Sequence, residues 1–317
     1  GPADDALLVH TARIALRDTL AALWKLDTAP ERSFRNDDDA MARIADVALG
    51  IPTRRAAAFL IDYYEDRPLP PERAVDIIQH LGRHADENRR PLVDALAETF
   101  RGASPQMQLD VLQTLHRALH EHGGKLGGRQ LQWGGELAVQ LIPSGNEGLA
   151  RRAIEFAHEL RLAPAVSELV RVAGDASANP DLRGRAVNAL VALDSSEAMG
   201  VIATVLVDAN APLRLRQQVA ESLGQLNSPT ARGTLIALFK VAPESLALAV
   251  ARSLSSSREG ARDLVAAVEN GSASPRLLQD RVVDERLRNA GLKELDARLA
   301  RLLEGLPDGD ERVKELI

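Results

Sequence analysis

Histidines are the side chains in this sequence best suited to metal binding or acid–base chemistry, and five of the seven fall in two groups. His80 and His84 form one group, and His116, His120 and His122 form the other. Imidazoles four residues apart on a helix can meet one metal ion, but a site needs a third ligand as well. Neither group carries the glutamate of the His-Glu-x-x-His motif. We therefore predict surface histidines near helix C-termini, with adventitious metal binding as the alternative.

Two other segments match ligand-binding loops only in part. The stretch 123–128 is glycine-rich, but Leu126 follows Lys125 where a phosphate loop has Ser or Thr, so we expect a flexible connection. The acidic run 36–39 could ligate calcium, yet the Gly and Glu that complete an EF-hand loop are missing. Acidic residues just before a helix favour its positive N-terminal end, so we predict that this run caps a helix.

Composition removes several further classes of chemistry. The chain has no cysteine, which excludes thiolate metal sites, iron–sulfur clusters, cysteine nucleophiles and covalent c-type haem within it. No G-x-S-x-G motif is present, and paired acids such as Asp284-Glu285 fall on a solvated helix face. We expect no catalytic residue, no metal site and no cofactor in this chain.

The residue balance favours an all-helical protein. Ala and Leu are abundant, and aromatic residues make up 3% of the chain. The net charge is −6, whereas a nucleic-acid-binding protein usually has a basic excess, so we expect no nucleic acid partner. No apolar run approaches the length of a membrane span. All but five of the 39 cationic residues are arginine, which suits persistent pairs with carboxylates but equally suits a bias in the coding sequence.

An internal repeat of about 33 residues decides the architecture. Each copy consists of two short amphipathic helices with apolar residues three and four apart, and each pair has an apolar face that it cannot bury alone. Stacking the pairs buries these faces in one continuous core, so the sequence predicts an α-solenoid of roughly seven or eight helix pairs. The clearest pairs are 183–193 with 198–206, 216–226 with 231–239, and 247–254 with 261–268.

We expect a single helical-repeat domain over 3–317. Gly1-Pro2 matches the pair that a tag protease leaves, and the last residues stop inside an apparent helix, so we expect a piece of a longer protein. The best candidate for a hinge is the glycine-rich stretch at 123–135. Leucines at three–four spacing predict one long helix over 277–306 that caps the last repeat. The expected regions are irregular helix pairs over 3–122, regular repeats over 136–270, and capping helices over 275–317.

Basic residues near the helix starts of the repeats are the first candidates for binding a partner. Arg183, Arg185, Arg214 and Arg216 should stack on one side of the repeats, where they could grip an acidic segment. The alternative is that they pair within the chain with Asp181 and Asp208.

A second candidate lies on the first helix. His10, Arg13 and Arg17 are three and four residues apart and therefore share a face that could bind an acidic partner. The alternative, which we favour, is an internal ion-pair face with Asp18 or with the acidic run 37–39.

The repeats resemble HEAT-like repeats, whose helix pairs carry Asp-x-x-x-Arg followed by Ala-x-x-Ala-Leu. The closest copy has Asp181 and Arg185, and the next copy matches more weakly and lacks the Asp. The resemblance covers about 150–268 well and the rest of the chain loosely. The matching residues are Asp181, Arg185, Ala186, Ala189 and Leu190, then Arg216, Ala220 and Leu223.

Four segments match a second family, namely Leu8–Asp18, Ala45–Pro52, Ala57–Leu60 and Leu302–Pro307. They are similar to the helical part of PVC-type haem-binding multidomain proteins. These proteins have a propeller-type dehydrogenase-like or sugar-active module before that part, and a c-type cytochrome with a Cys-x-x-Cys-His motif after it. The resemblance implies an exported or periplasmic location and a role as a connector, although cytoplasmic location stays open. It implies a c-type haem in the parent protein but carries no redox residue into this chain.

The sequence therefore predicts a non-catalytic helical-repeat scaffold that links flanking domains of a larger redox or sugar-active protein, or binds a protein partner. One alternative is a helical-repeat nucleic-acid-binding protein or DNA glycosylase-like enzyme, against which the acidic charge and two tryptophans argue. Another alternative is a repeat protein of the chromophore-lyase type. The oligomeric state is open.

Overall fold

The computed structural model describes residues 6–193 and 196–306, which form seventeen α-helices and no β-strand. The predicted all-α solenoid of helix pairs is confirmed. Among the described helices, none is both long enough and apolar enough to cross a membrane. Gly1-Pro2 and the helix expected at the chain end lie outside the described residues.

The contacts divide the chain into two compact units, unit 1 over 1–137 and unit 2 over 138–317. The division falls inside helix α7, Gly128–Leu141, and not in a glycine-rich hinge. The expected hinge over 123–135 is therefore too long, because Trp133 is buried and its indole N–H donates to the Gln108 side chain at 2.7 Å. Gly134 and Gly135 lie within the same helix. The treatment of the chain as a single domain stays a prediction.

Unit 1 consists of helix pairs of unequal length joined by short 3₁₀ segments at 30–34, 71–73, 87–89 and 99–102. Its core includes an aromatic cluster in which the ring of Phe59 lies 5.6 Å from that of Trp24 and 6.1 Å from that of Tyr63. The boundary of the irregular region predicted over 3–122 stays a prediction. The helices before α7 are α1 Ala6–Lys25, α2 Asp38–Ala48, α3 Arg54–Tyr64, α4 Ala74–His84, α5 Arg90–Glu98 and α6 Pro105–His120.

Unit 2 is a regular stack of two helical layers. Helices α8, α10, α12 and α14 lie side by side in the first layer, and α9, α11, α13 and α15 do so in the second. The core between them is built from small and branched residues, as in the fully buried Ala186, Val187 and Leu190 of α10. The helices are α8 Glu147–Leu160, α9 Val166–Gly174, α10 Pro180–Ala192, α11 Ser196–Val207, α12 Leu213–Leu226, α13 Pro229–Leu238, α14 Glu244–Leu254, α15 Arg258–Glu269, α16 Arg281–Asn289 and α17 Leu295–Leu303.

Helix starts follow the capping residues of the sequence. Asp37 caps α2 by accepting a hydrogen bond from the Ala40 backbone N–H at 2.9 Å, so the capping prediction for the acidic run is confirmed. Ser104 and Ser228 cap α6 and α13 in the same way, each with proline at the first helical position.

The long helix predicted over 277–306 is wrong. The segment holds a 3₁₀ turn and two short helices, α16 and α17, because Asp280 caps a new helix start and Gly291 and Glu294 adopt left-handed backbone angles. The expected seam consisted of the leucines at 292, 295, 299, 302 and 306, of which only Leu295 and Leu299 are buried. The continuous coiled-coil-like face therefore does not form.

Candidate interaction surface

Two of the four predicted partner-binding arginines are structural. Arg183 is 4% exposed and its Nε donates to the Ala173 carbonyl at 3.1 Å, while Arg216 is 6% exposed and donates to the Leu206 carbonyl at 2.7 Å. In each case a first-layer helix is joined to the end of the second-layer helix before it. The expectation that all four arginines form one exposed row is therefore corrected, since these two are buried against backbone carbonyls that need a donor.

Arg185 and Arg214 remain at the surface of the first layer. Arg185 donates to Asp181 at 2.8 Å and to Glu155 of the neighbouring helix at 2.5 Å. The hydrogen bond to Asp181, together with the negative charges of Asp181 and Glu155, raises the pKa of its guanidinium. Pairing within the chain, which the sequence left open, thus applies to Arg185 and Asp181. Asp208 instead accepts from the backbone N–H of Asn210. Arg214 is exposed and makes no ion pair within the described part of the chain. A partner-binding role for Arg185 and Arg214 stays a prediction.

A polar cavity of about 590 Å³ opens on the same layer, across α8, α10 and α12. We call it the amide groove, after the three side-chain amides in its wall. Arg185 is three residues before Asn188 on α10, and Arg214 is four before Gln218 on α12, so both arginines share a helix face with the groove. Its polar lining consists of His158, Arg161, Asn188, Gln218, Glu221, Ser222 and Gln225.

Hydrogen bonds inside the groove fix one of these amides and leave donors available. The Ser222 hydroxyl donates to the Asn188 side-chain oxygen at 2.6 Å, which orients that amide. In the described residues, the amide nitrogens of Asn188, Gln218 and Gln225 donate to no other group of the chain. Each primary amide offers two donors and an acceptor. The groove wall therefore presents hydrogen-bonding groups on two adjacent repeats.

Close packing positions Gln218. A Cβ atom placed on Gly184 would lie 2.8 Å from the Gln218 side-chain oxygen, so the glycine of α10 makes room for this amide. The sequence reasoning missed Asn188, Gln218, Ser222 and Gln225 altogether. The signal was available, since Asn188 and Ser222 are 34 residues apart, close to the repeat period, and a bond between neighbouring repeats has that separation.

The basic set on α1 is largely engaged within unit 1. Arg13 pairs with Asp46 of α2, and Arg17 donates to Asp18 at 2.8 Å. The favoured alternative of internal pairing is thus found: Arg17 pairs with Asp18 as expected, and Arg13 pairs with Asp46 instead of the run 37–39. Asp46 also accepts from Arg73 at 2.6 Å, so it joins two elements to α2. His10 is exposed on α1. Binding of an acidic partner by this set stays a prediction.

The histidine groups are less exposed than the sequence suggested. Both lie at the C-terminal ends of helices, as predicted, but His80 and His116 are buried, so the expectation of surface histidines is wrong for them. Burial, helped by nearby His84, lowers the pKa of His80 to about 4. The pKa of His84 is also lowered, by burial and then by His122. Among the described residues, no group of three or more His, Cys, Asp or Glu side chains is arranged to hold a metal ion.

The family model for HEAT repeats matches residues 166–255, which supports a HEAT-like repeat segment there. No curated protein matches the sequence. A solved structure of human deoxyhypusine hydroxylase in complex with glycerol is similar at 18% identity, covering 92% of this chain and 99% of that chain, with a TM-score of 0.31. At that TM-score the likeness carries no argument about function.

Proposed function

We propose that this chain is a non-catalytic helical-repeat module that holds a protein partner, or the flanking domains of a larger protein, in position. The observation that carries the proposal is the first layer of unit 2, in which α8, α10 and α12 lie side by side and share the polar groove. Repeat stacks use such extended surfaces to bind other proteins.

Arginine–carboxylate pairs between neighbouring helix pairs suit a module that must keep its shape. In unit 2, Arg252 makes a two-pronged contact with Asp280 at 3.0 and 2.7 Å, and Arg298 makes one with Glu269 at 2.6 and 2.7 Å. Each joins residues about 30 positions apart, which is close to one repeat. Paired, planar contacts of this kind fix orientation, because both nitrogens of the fork must be satisfied together.

The resemblance to PVC-type haem-binding multidomain proteins extends the proposal to the parent protein. We place this module in an exported protein, between a redox or sugar-active module and a c-type cytochrome, with the haem outside this chain. An antibody against unit 2 should then detect a haem-staining polypeptide, longer than this chain, in the periplasmic fraction. Detection of a cytoplasmic polypeptide without haem would contradict this part of the proposal and leave the scaffold role standing.

Site-specific photo-crosslinking in the full-length protein tests the scaffold role directly. A benzophenone amino acid replaces Arg214 in the first layer of unit 2, and the matched control replaces Arg262, which is exposed on α15 in the second layer. We expect position 214 to crosslink to one defined domain or protein, with at least a tenfold lower yield from position 262. Absence of a defined crosslink from either position would overturn the proposal. A defined crosslink from position 262 alone would keep the scaffold role but move it to the second layer.

A further inference from the structure

We propose that the amide groove binds a short extended segment of a partner protein, recognised through its main chain, with an acidic side chain at one end and a basic one at the other. The inference rests on the proposed scaffold function and names the chemistry of the segment. It is carried by the three amides with available donors, by two unpaired charges of opposite sign, and by the distance between them.

The amides account for recognition of the main chain. Asn188 and Gln218 are partly buried on adjacent helices, and the bond from Ser222 holds the Asn188 amide with its NH₂ group available. An extended peptide shows alternating N–H and C=O groups along each edge, and a primary amide can donate to one and accept from the other. Such contacts read the backbone and tolerate different side chains.

Two charged side chains of the groove determine which residues the ends of the bound segment should carry. Arg161 lies at the C-terminal end of α8, in a left-handed backbone conformation, and Glu221 lies on α12. Both are exposed in the lining of the groove, and neither has an ion-pair partner within residues 6–193 and 196–306. His158 stands beside Arg161 in the lining. The α8 side of the groove therefore favours an acid and the α12 side favours a base.

Helix spacing sets the length of the segment. Adjacent packed helices have axes roughly 8–10 Å apart, so α8 and α12, with α10 between them, are about 18 Å apart. An extended chain advances about 3.3 Å per residue, so about five or six residue steps, or six to seven residues, span the groove. The ligand is thus a segment of this length with opposite charges at its ends, in either chain direction.

Peptide pools provide the probe. Each pool is a fluorescein-labelled heptapeptide with blocked termini and a degenerate uncharged middle, and the ends are Asp and Lys in either order, Asp twice, or Lys twice. We expect saturable binding of an Asp/Lys pool to the full chain, about threefold to fivefold tighter than either like-charged pool, as exposed single charges allow. Methylating the central backbone nitrogens should weaken binding at least tenfold.

Reversing one charge of the groove should change which peptide pool binds most tightly. Arg161→Glu should make the Lys/Lys pool the tightest, and Glu221→Arg should make the Asp/Asp pool the tightest. Asn188→Leu with Gln218→Met removes both amide donors without adding charge, and the Ser222 hydroxyl keeps the backbone carbonyl at position 218 as its acceptor, so this variant should weaken all pools at least tenfold. The control is Asn289→Leu, the same kind of change on an exposed residue of α16, which should leave every pool unaffected.

The outcomes separate this proposal from the scaffold role. Two results would overturn the groove proposal: no binding of any pool at about 1 mM peptide, or a preference among the pools that neither charge reversal alters. If Arg214 still gives a defined photo-crosslink, the scaffold role survives and its contact lies elsewhere on the layer. If binding persists after main-chain methylation, recognition is through side chains and the main-chain proposal is wrong.

Discussion

Units 1 and 2 are both stacks of helix pairs, yet they use different residues to fill their cores. Seven of the nine Phe, Trp and Tyr residues and six of the seven histidines lie in unit 1. The HEAT repeats match lies wholly in unit 2. Helices of similar length and offset can pack with Ala, Val and Leu alone, because each pair meets the next in the same way. Unequal helices joined by 3₁₀ segments leave gaps of different sizes, which large rings fill.

The polar contacts of the two units also differ: unit 2 repeats one kind of contact, whereas those of unit 1 are individual. In unit 2 the buried Arg183 and Arg216 make the same bond, each to a carbonyl ten residues earlier. In unit 1 the polar groups are tied individually, as when the Trp24 indole N–H donates to Glu31 at 3.0 Å. Regular stacking thus reuses one contact, whereas irregular stacking needs a separate solution at each helix pair.

The largest effects should come from the aromatic core of unit 1 and its closest equivalent in unit 2. Phe59→Ala removes the ring that lies between Trp24 and Tyr63, and Phe156→Ala removes a fully buried ring of α8. Each should cost about 3–5 kcal/mol of unfolding free energy, through lost burial and a cavity. Hydrogen exchange should increase around 6–64 for the first variant and around 147–192 for the second. A loss below about 1 kcal/mol at Phe59 would contradict the role given to the cluster.

Acid should weaken unit 1 through His80. The folded state holds this group neutral, with a pKa of about 4 against an ordinary 6.5, so the unfolded chain takes up the proton first as pH falls. Stability is then fully present above pH 6.5 and is lost down to about pH 4, by about 3 kcal/mol. Chemical denaturation of His80→Gln should lack this loss, whereas His158→Gln in unit 2 should keep it. If the unfolding free energy falls with pH equally steeply in the wild type and in His80→Gln, the prediction is wrong. The cavity beside His80 is also lined by charged and titratable residues that both variants retain, namely Asp46, Arg73, Asp76, Arg83 and His84.

The buried arginines of unit 2 should give the next largest effect. Arg183→Met or Arg216→Met leaves a buried carbonyl without its donor, and each should cost about 2 kcal/mol of unfolding free energy. Arg185→Met, two residues from Arg183, changes the same chemistry at a half-exposed site and should cost less than about 1 kcal/mol. Thermal unfolding of the three variants measures the contrast. Equal losses of unfolding free energy in all three variants would show that the buried arginines stabilise the fold no more than the half-exposed Arg185 does.

The repeats and their caps could be predicted from sequence, but the faces of individual residues were harder to assign. Arg183 stands three, four and seven residues before Ala186, Val187 and Leu190, which places it on the buried face of α10. Arg185 stands on the other face. Reading the arginines as one set by their charge hid that difference.

The amide groove could not have been predicted from helical spacing in the sequence. It depends on which side chains of three helices meet, and Asn, Gln and Ser at helical positions ordinarily indicate nothing more than a solvated face. The break at 280–294 was hidden for a related reason. The spaced leucines from 292 to 306 suggested one continuous helix, whereas the cap at Asp280 and the left-handed residues decide where the helices begin and end.

The smallest effect should come from the ion pairs that join neighbouring helix pairs at the surface. Arg298 and Glu269 make two short hydrogen bonds, which raise the pKa of the arginine and lower that of the glutamate. Both side chains are partly exposed, so water offsets most of the attraction, and a double-mutant cycle with Arg298→Gln and Glu269→Gln should give a coupling below about 1 kcal/mol. The coupling should shrink further in 1 M salt, where the screening length is about 3 Å. A salt-independent coupling above about 2 kcal/mol would instead give the pair the weight of a buried contact, and the contrast between core and surface arginines in unit 2 would fail.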